Sequence, residues 1–543
     1  MPTFASHARW PSGSDASRFY VMLDHIIHPN DEERGQPMDI QSDNEPTATN
    51  PIPDPSAVAF AVEGPAYSSE SETHVAYRPQ SLYLVGTDGV IAAVLTPDDP
   101  QYHAIRAELA RLNRLTSLAD GQVLLPGFSD LHLHAPQWAQ AGAALDEPLE
   151  RWLGRYTFPT EASFADLAYA DRAHRHLVRG TLARGTTSVL YYDTIDRAAA
   201  VNLAHVCAEL GQRGFIGKVV MDDPESNPEY YREDTATALA ETERFINEVR
   251  EFAHTAADNG TNASGGAGVD CREDAVADGV TSNRVCDAAP PIVQPVITPR
   301  FIPSCTDAAL EGLGELALRY HCFTQSHCSE SDWEHHTVFE RYGRSDTEAL
   351  DMFGLLTDRT VMHHCVYLSE SDADLFARRG AAVAHCPLSN AYFANAVAPV
   401  RRYRRQGVTV GLGTDISGGY DPSVHAMVRL AAIVSRNLES GVDASREAAE
   451  RGGVADALVT LDRAFYLATV GGAEALGVRA GRLEAGYAWD VQLLDVHAPG
   501  NDLPIFENDE DPAITFQKIM NLSTPANIRA VWVQGRLAHG TLA

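Results

Sequence analysis

The sequence predicts an α/β fold: a (β/α)8 TIM barrel with a small β-sandwich domain formed by the N- and C-terminal segments. Eight short apolar runs alternate with helix-like stretches, which is typical of a parallel sheet buried on both faces. Apolar runs also flank a TDG turn after Ser81, and similar runs recur near the C-terminus, as expected for hairpins. The eight runs span a length close to the roughly 250 residues of such barrels.

Each of the eight predicted barrel strands ends in polar residues. In chain order the runs are GQVLLPGFSDLHLH, GTTSVLYYD, FIGKVVMDD, PVITPRF, CFTQSHCSE, TVMHHCVY, AAVAHCP and VTVGLGTD. Stretches between them, such as ALAETERFINEVREFAH, place apolar residues at helical spacing. Because barrel enzymes carry their reacting groups at the carboxyl ends of the strands, we expect the active site there.

Three segments follow from this pattern. Residues 1–124 are predicted to be an N-terminal β segment, 125–478 the (β/α)8 barrel, and 479–543 a C-terminal β segment that completes the small domain. A region near 30–78 is rich in Pro, Asp, Glu, Ser and Thr, which predicts a disordered insertion. A low-complexity stretch near 257–291 predicts a surface excursion between strands three and four.

The charge and the apolar content of the chain exclude some classes of binding partner. The net charge of −32, from 42 basic and 74 acidic residues, argues against nucleic acid, which calls for a basic surface. No apolar run reaches the ~18 residues of a membrane span, and the N-terminus lacks the pattern of a secretory signal. We therefore expect a cytoplasmic protein with a small-molecule substrate and neither a membrane nor a nucleic-acid partner.

Four residues at strand ends have the chemistry of metal ligands. His132 and His134 are two apart, so a strand places both imidazoles on one face. His327 ends the fifth run and Asp415 the eighth, and this set of three nitrogens and one oxygen suits a catalytic zinc ion. The alternatives are a pair of ordinary core histidines and, for Asp415, a turn or helix N-cap.

Two further residues have the chemistry of catalysts. Glu330 follows His327 by three positions, so its carboxylate can transfer a proton near the metal, although a first-turn glutamate favoured by the helix dipole is the alternative. His364 is predicted to contact the attacking water or the oxyanion. The adjacent His363 competes for that role because consecutive strand residues face opposite sides.

Only two lysines occur, Lys218 in the third run and Lys518 outside the barrel. Binuclear barrel hydrolases bridge their metals with a carbamylated lysine on strand four, so the sequence predicts one metal ion per chain. The chain also lacks HExxH and GxxxxGK[ST], and it lacks the paired motifs of the cytidine-type zinc deaminases.

Several motifs in order resemble the amidohydrolase superfamily and, within it, the guanine deaminase family. They are PGFSDLHLHAPQWAQAG, PVITPRF, QSHCSE, AHCPLSN and LGTDISGGY, between about Leu124 and Val424. The resemblance implies hydrolytic deamination of guanine to xanthine and ammonia by a homodimer in purine metabolism. It implies Zn²⁺ on His132, His134, His327 and Asp415, with proton transfer by Glu330. His364 and Asp415 would stabilise the tetrahedral intermediate.

The same resemblance implies that Gln137, Arg300 and Phe301 contact the substrate. Arginine is an obligate hydrogen-bond donor, whereas glutamine both donates and accepts, which suits the carbonyl and ring N–H groups of guanine. Phe301 and Trp138 have flat rings that can pack against a base. The alternatives are a structural ion pair for Arg300 and a plain core position for Trp138.

Two other functions remain open from the sequence. One is an amidohydrolase-superfamily deaminase of another amino-substituted purine, pterin or triazine, against which the TPRF and HAPQ motifs argue. The other is a catalytically inactive barrel that serves as a binding protein. The complete ligand set and Glu330 argue against the second.

Overall fold

Eighteen β-strands make up the sheets of the computed structural model, which describes residues 52–258, 291–506 and 511–541. The N-terminal strands are β1 Val58–Ser71, β2 His74–Gly86, β3 Ile91–Leu95, β4 Leu115–Ser117 and β5 Gln122–Pro126. The next eight are β6 Phe128–His134, β7 Thr186–Tyr192, β8 Arg213–Val220, β9 Val293–Pro299, β10 Phe323–Cys328, β11 Thr360–His364, β12 Ala382–His385 and β13 Thr409–Leu412. The last are β14 Val491–Asp495, β15 His497–Ala498, β16 Asn501–Asp502, β17 Ile528–Val533 and β18 Arg536–Gly540.

Strands β6 to β13 form one sheet in chain order, and every neighbouring pair is parallel. All eight correspond to the apolar runs of the sequence. The loop after β13 hydrogen-bonds to β6, since the Asp415 amide donates to the His132 carbonyl at 2.8 Å. This contact brings the last strand back to the first, so the eight strands form a nearly closed (β/α)8 barrel.

Helices connect the strands and cover the outside of the barrel. They are α1 Tyr102–Arg111, α2 Leu149–Trp152, α3 Phe158–Ala162, α4 Leu167–Leu182, α5 Arg197–Leu210, α6 Thr235–Asp258, α7 Asp307–Tyr320, α8 Asp332–Tyr342, α9 Asp346–Met352, α10 Glu370–Arg379, α11 Pro387–Ser389, α12 Val400–Arg405, α13 Val424–Ser440, α14 Leu461–Tyr466, α15 Gly472–Ala475 and α16 Pro512–Leu522. Within the described ranges, none is long and apolar enough to cross a membrane.

A second sheet combines both ends of the chain. Its order is β18-β17-β14-β5-β1-β2-β3, with β4 paired to β1. One face packs around Trp489 and Trp532, and the other packs against α1 through Leu82 and Leu109. A barrel joined to a β domain built from both termini confirms the predicted fold class.

The prediction of a disordered insertion near 30–78 is wrong for its second half. Val58–Ser71 forms β1 and pairs antiparallel with β2. Of the serines that made this segment look polar, Ser68 and Ser69 are buried, and the Ser68 hydroxyl accepts a hydrogen bond from the Leu483 amide at 3.2 Å. The first half of this insertion, up to residue 51, and residues 259–290 of the insertion near 257–291 lie outside the described residues.

A buried ion pair joins the barrel to the terminal sheet. Arg213 on β8 donates to Asp490 at 3.0 Å, and both side chains are almost fully buried. We expect Asp490→Ala to lower the free energy of unfolding by about 3 to 5 kcal/mol, because it leaves a buried guanidinium without its counter-charge. Urea unfolding measures this change. The matched control Glu108→Ala removes a surface ion pair with Arg111 and should leave the unfolding midpoint unchanged.

Candidate active site

The four predicted metal ligands converge at the carboxyl-terminal mouth of the barrel. Nε2 of His134 lies 3.1 Å from Nε2 of His327. Oδ1 of Asp415 lies 3.2 Å from Nε2 of His132 and 3.7 Å from Nε2 of His134. All four side chains are buried. These strand ends therefore present four donor atoms to one point.

The closure of the barrel positions Asp415. The Asp130 carboxylate on β6 accepts from both the amide of Thr414, at 2.9 Å, and its hydroxyl, at 2.6 Å. The next residue, Asp415, has a left-handed backbone with φ of 51° and donates its amide to the His132 carbonyl. The loop after β13 is thus held against β6, which brings the carboxylate to the histidines.

The donor atoms fit a divalent metal. Burial lowers the pKa of His132, His134 and His327 well below the usual value, so the imidazoles are neutral, the form that binds metals. Nε2 of His132 forms no hydrogen bond within the described residues. The other nitrogen of His327, Nδ1, donates to the Arg300 carbonyl at 2.5 Å, which leaves Nε2 of His327 free to coordinate. Three neutral imidazoles and one carboxylate form a zinc-type donor set.

Two consecutive histidines of β11 both enter the site, although only one reaches its carboxylates. His363 stacks on His132 with ring centroids 3.9 Å apart and pairs with the Tyr192 hydroxyl at 3.1 Å. His364 places Nε2 3.7 Å from Oε1 of Glu330. A left-handed backbone at His364, with φ of 65°, breaks the strand alternation and explains how neighbours face the same side.

Glu330 and His364 are two neighbouring ionisable residues of the site. Burial, reinforced by the charge of Asp415, raises the pKa of Glu330 to about 8, so its carboxyl can hold a proton near neutral pH. His364 is oriented by a 2.8 Å contact between its Nδ1 and the Asn390 side-chain oxygen. Asn390 was not identified from the sequence, because a polar residue after strand seven resembles an ordinary loop residue.

A cavity opens beside the donor atoms. Gln137, Arg300 and Phe301 line it. The ring of Phe301 lies edge-on to that of His327, with the ring centroids 6.2 Å apart. Two aromatic side chains that the sequence analysis did not identify, Trp152 and Phe393, also line it. Their ring centroids are 5.4 Å apart. The cavity thus has flat apolar walls and a polar end.

The expectation that Trp138 packs against a base is not supported, because the structure places it outside this cavity. Its indole N–H donates to Nδ1 of His176 at 2.8 Å. Trp138 follows Gln137 in a short 3-10 helix, Ala135–Gln140, where adjacent side chains point about 120° apart. With Gln137 directed into the cavity, the indole is directed away from it.

A buried carboxylate at the polar end was missed by the sequence analysis. Glu161 on α3 is fully buried and pairs with Arg300, with 2.7 Å between Oε2 and Nη1. Its other oxygen accepts from Nε2 of Gln137 at 2.8 Å. In the sequence this residue looks like an ordinary first-turn glutamate, and no periodicity marks it as buried.

The mouth of the cavity is acidic. A second cavity shares Leu149 and Phe393 with the first. Four carboxylates line this outer cavity: Asp146, Glu147, Glu150 and Asp332. Glu147 pairs with Arg151 and Arg155, and the four carboxylates against these two arginines leave the lining with a net negative charge.

The fold and the site together are those of a barrel hydrolase, with four buried side chains of metal-ligand type, three histidines and one aspartate, beside Glu330 and His364. The sequence model described as "Amidohydrolase family" matches residues 123–538. The chain belongs to the amidohydrolase family.

Within this family, the chain is similar to several guanine deaminases. A probable guanine deaminase of Schizosaccharomyces pombe is 33% identical over 450 residues, which cover 82% of this chain and 76% of that protein. The guanine deaminase of Mus musculus is 34% identical over 429 residues, covering 78% and 84%. The structure of a guanine deaminase from C. acetobutylicum with bound guanine aligns with a TM-score of 0.72 at 28% identity, covering 88% of this chain and 99% of that one.

Proposed function

We propose that this chain is a guanine deaminase that hydrolyses guanine to xanthine and ammonia in purine catabolism and salvage. The observation that carries the proposal is the convergence of four metal-ligand atoms beside an aromatic cavity whose far end presents Arg300 and Gln137. Relatives that cover most of the chain's length bear the same activity in their names, which favours guanine over another amino-substituted purine, pterin or triazine.

One zinc ion per chain is part of the proposal, held by His132, His134, His327 and Asp415. When bound there, zinc supplies Lewis acidity that makes a water molecule a good nucleophile at neutral pH. A second, lysine-bridged metal has no support: Lys218 is buried on β8 and pairs with Glu233 at 2.6 Å. Lys518 lies in α16, outside the barrel.

The acid-base residues follow from their positions. Glu330 accepts a proton from the attacking water and donates it to a ring nitrogen of guanine as the carbon that bears the amino group becomes tetrahedral. Nε2 of His364 and Oδ2 of Asp415 lie 4.0 Å apart, where His364 stabilises the developing oxyanion and the Asp415 carboxylate takes up the proton of the newly added hydroxyl. That proton passes to the amino group, the C–N bond breaks, and ammonia leaves as the carbonyl of xanthine forms.

The cavity walls fit the shape of the base. Phe301, Trp152 and Phe393 offer flat apolar surfaces to a planar ring. Arg300 and Gln137 offer hydrogen-bond donors to the carbonyl oxygen, and Gln137 also offers an acceptor to a ring N–H. The acidic mouth favours a neutral free base over a phosphorylated nucleotide.

The proposal extends to the cellular setting and organisation of the chain. We place the enzyme in the cytoplasm as a homodimer, on the basis of the resemblance to guanine deaminases. We also place domain boundaries near residues 124 and 478, in keeping with β5 ending at Pro126 and β14 beginning at Val491 in the terminal sheet. Size-exclusion chromatography with light scattering tests the dimer.

The decisive experiment measures xanthine formation and bound metal on the same purified sample. We expect guanine to be converted to xanthine with close to one zinc ion per chain, and guanosine monophosphate to remain unchanged. A panel with adenine, a pterin and a triazine tests the alternative substrates. Zinc-loaded protein that leaves guanine intact contradicts the proposed function.

A further inference from the structure

Glu161 joins the two polar residues of the cavity into one unit. Its Oε1 accepts from Nε2 of Gln137 at 2.8 Å and from Nη2 of Arg300 at 3.2 Å, while Oε2 accepts from Nη1 of Arg300 at 2.7 Å. The carboxylate is fully buried, so no bulk water competes for these bonds. Both substrate-facing side chains therefore take their positions from one carboxylate.

The hydrogen bonds of Gln137 determine which end of its side-chain amide is the oxygen and which is the nitrogen. The backbone amide of Ser417 donates to Oε1 of Gln137 at 3.1 Å, so that end must be the oxygen. The carboxylate of Glu161 only accepts, so the opposite end must be the NH2 group. A rotation of the amide by 180° breaks both bonds, and Gln137 therefore presents one defined donor and acceptor pattern.

The same contact fixes Arg300. The guanidinium lies over the Phe158 ring at 5.2 Å, and a bidentate pair with Glu161 sets its rotation about that stack. The ion pair leaves donor N–H groups on Arg300, which lines the cavity, but it cancels the net charge. Such an end of a cavity suits a neutral carbonyl oxygen better than an anion, and a base without that oxygen leaves buried donors unpaired.

We propose that Glu161 is a positioning residue that makes this site selective for purines bearing a ring carbonyl, by holding Arg300 and Gln137 in the orientation that donates to it. The inference rests on the proposed function. Glu161 itself is not among the residues that line the cavity; it acts through the two side chains that it holds.

The test compares guanine with 2-aminopurine, which keeps the amino group but lacks the carbonyl. 2-Aminopurine is measured as a substrate or, where it is not turned over, as a competitive inhibitor. For Glu161→Gln we expect kcat/KM for guanine to fall about 10²-fold, mainly through KM. The reason is that Arg300 and Gln137, no longer held by the carboxylate, lose their hydrogen bonds to the carbonyl oxygen of guanine. The value for 2-aminopurine should change less than about threefold, because that base makes no bond to the carbonyl-binding donors.

Several controls separate positioning from general damage. Asp490→Asn disturbs another buried arginine-carboxylate pair. It should leave unchanged the ratio of kcat/KM for guanine to kcat/KM for 2-aminopurine. Metal content should equal that of the unaltered enzyme in each variant. If Glu161→Gln is insoluble, Glu161→Asp keeps the charge but withdraws the carboxylate, and we expect the ratio to fall about tenfold because one of the two contacts is lost.

The outcomes are distinguishable. A soluble, zinc-loaded Glu161→Gln or Glu161→Asp enzyme with an unchanged ratio overturns the positioning role, as does an equal loss for both bases. An unaltered, zinc-loaded enzyme that does not act on guanine overturns the proposed function instead.

Discussion

Replacing Glu330 by glutamine is expected to lower kcat for guanine by about 10³-fold, within the range that general acid-base catalysis contributes. Glutamine keeps the shape of the side chain but cannot accept the proton of the attacking water or pass it to the ring. Glu330 is not among the four proposed metal ligands, and its nearest catalytic neighbour is His364 at 3.7 Å. Zinc content and the KM for guanine should therefore change little. Steady-state kinetics with metal analysis measures both.

Glu340→Gln provides the matched control, since Glu340 is an exposed glutamate on α8 of the same strand-five connection. It should retain full activity. A Glu330→Gln enzyme with normal turnover means that another group carries the proton, and His364 is then the residue to substitute next.

The second large effect is expected at a metal ligand. His327→Ala removes one of the four donor atoms, and we expect zinc to fall well below one ion per chain in dialysed protein. The loss of several kcal/mol of Lewis-acid stabilisation, taken as about 4 kcal/mol, corresponds to roughly a 10³-fold loss of turnover. Excess zinc should restore activity only in part, because the remaining three donors bind the ion more weakly. Metal analysis and a zinc titration of activity provide the measurement.

His336→Ala is the control for this substitution, because His336 lies on α8, is exposed, and hydrogen-bonds the carbonyl of Asp332 in the same helix. It should keep both zinc and activity. If His327→Ala retained a full zinc ion per chain, the proposed ligand set would be incorrect, whatever happened to turnover.

Most of the barrel was predictable because its strands are buried on both faces. The sequences of such strands are continuous apolar runs, and the first polar residue after each run marks the end of the strand. The same reasoning located His132, His134, His327 and Asp415, since in a barrel all strand ends lie on one side.

What the sequence did not reveal depends on local geometry. The choice between His363 and His364 turned on a left-handed backbone that no periodicity encodes. Glu161 and Ser68 are buried polar groups whose partners come from distant parts of the chain, so composition alone described them as solvated. Trp152 ends the one-turn helix α2 and Phe393 lies in the π-helical turn Asn390–Ala394, and elements this short show no periodicity that indicates which side chains face the cavity.

The seam between β13 and β6 has a consequence for folding. His132 comes from the first barrel strand and Asp415 from the loop after the last, so the complete ligand set exists only once all eight strands are in place. A zinc ion held by the proposed ligands would bind the native chain far more tightly than any partly folded one, so its binding free energy would add to the stability of the closed barrel alone. Such an ion would lock the barrel only after its assembly, and a chain that ended before β13 would lack that stabilisation.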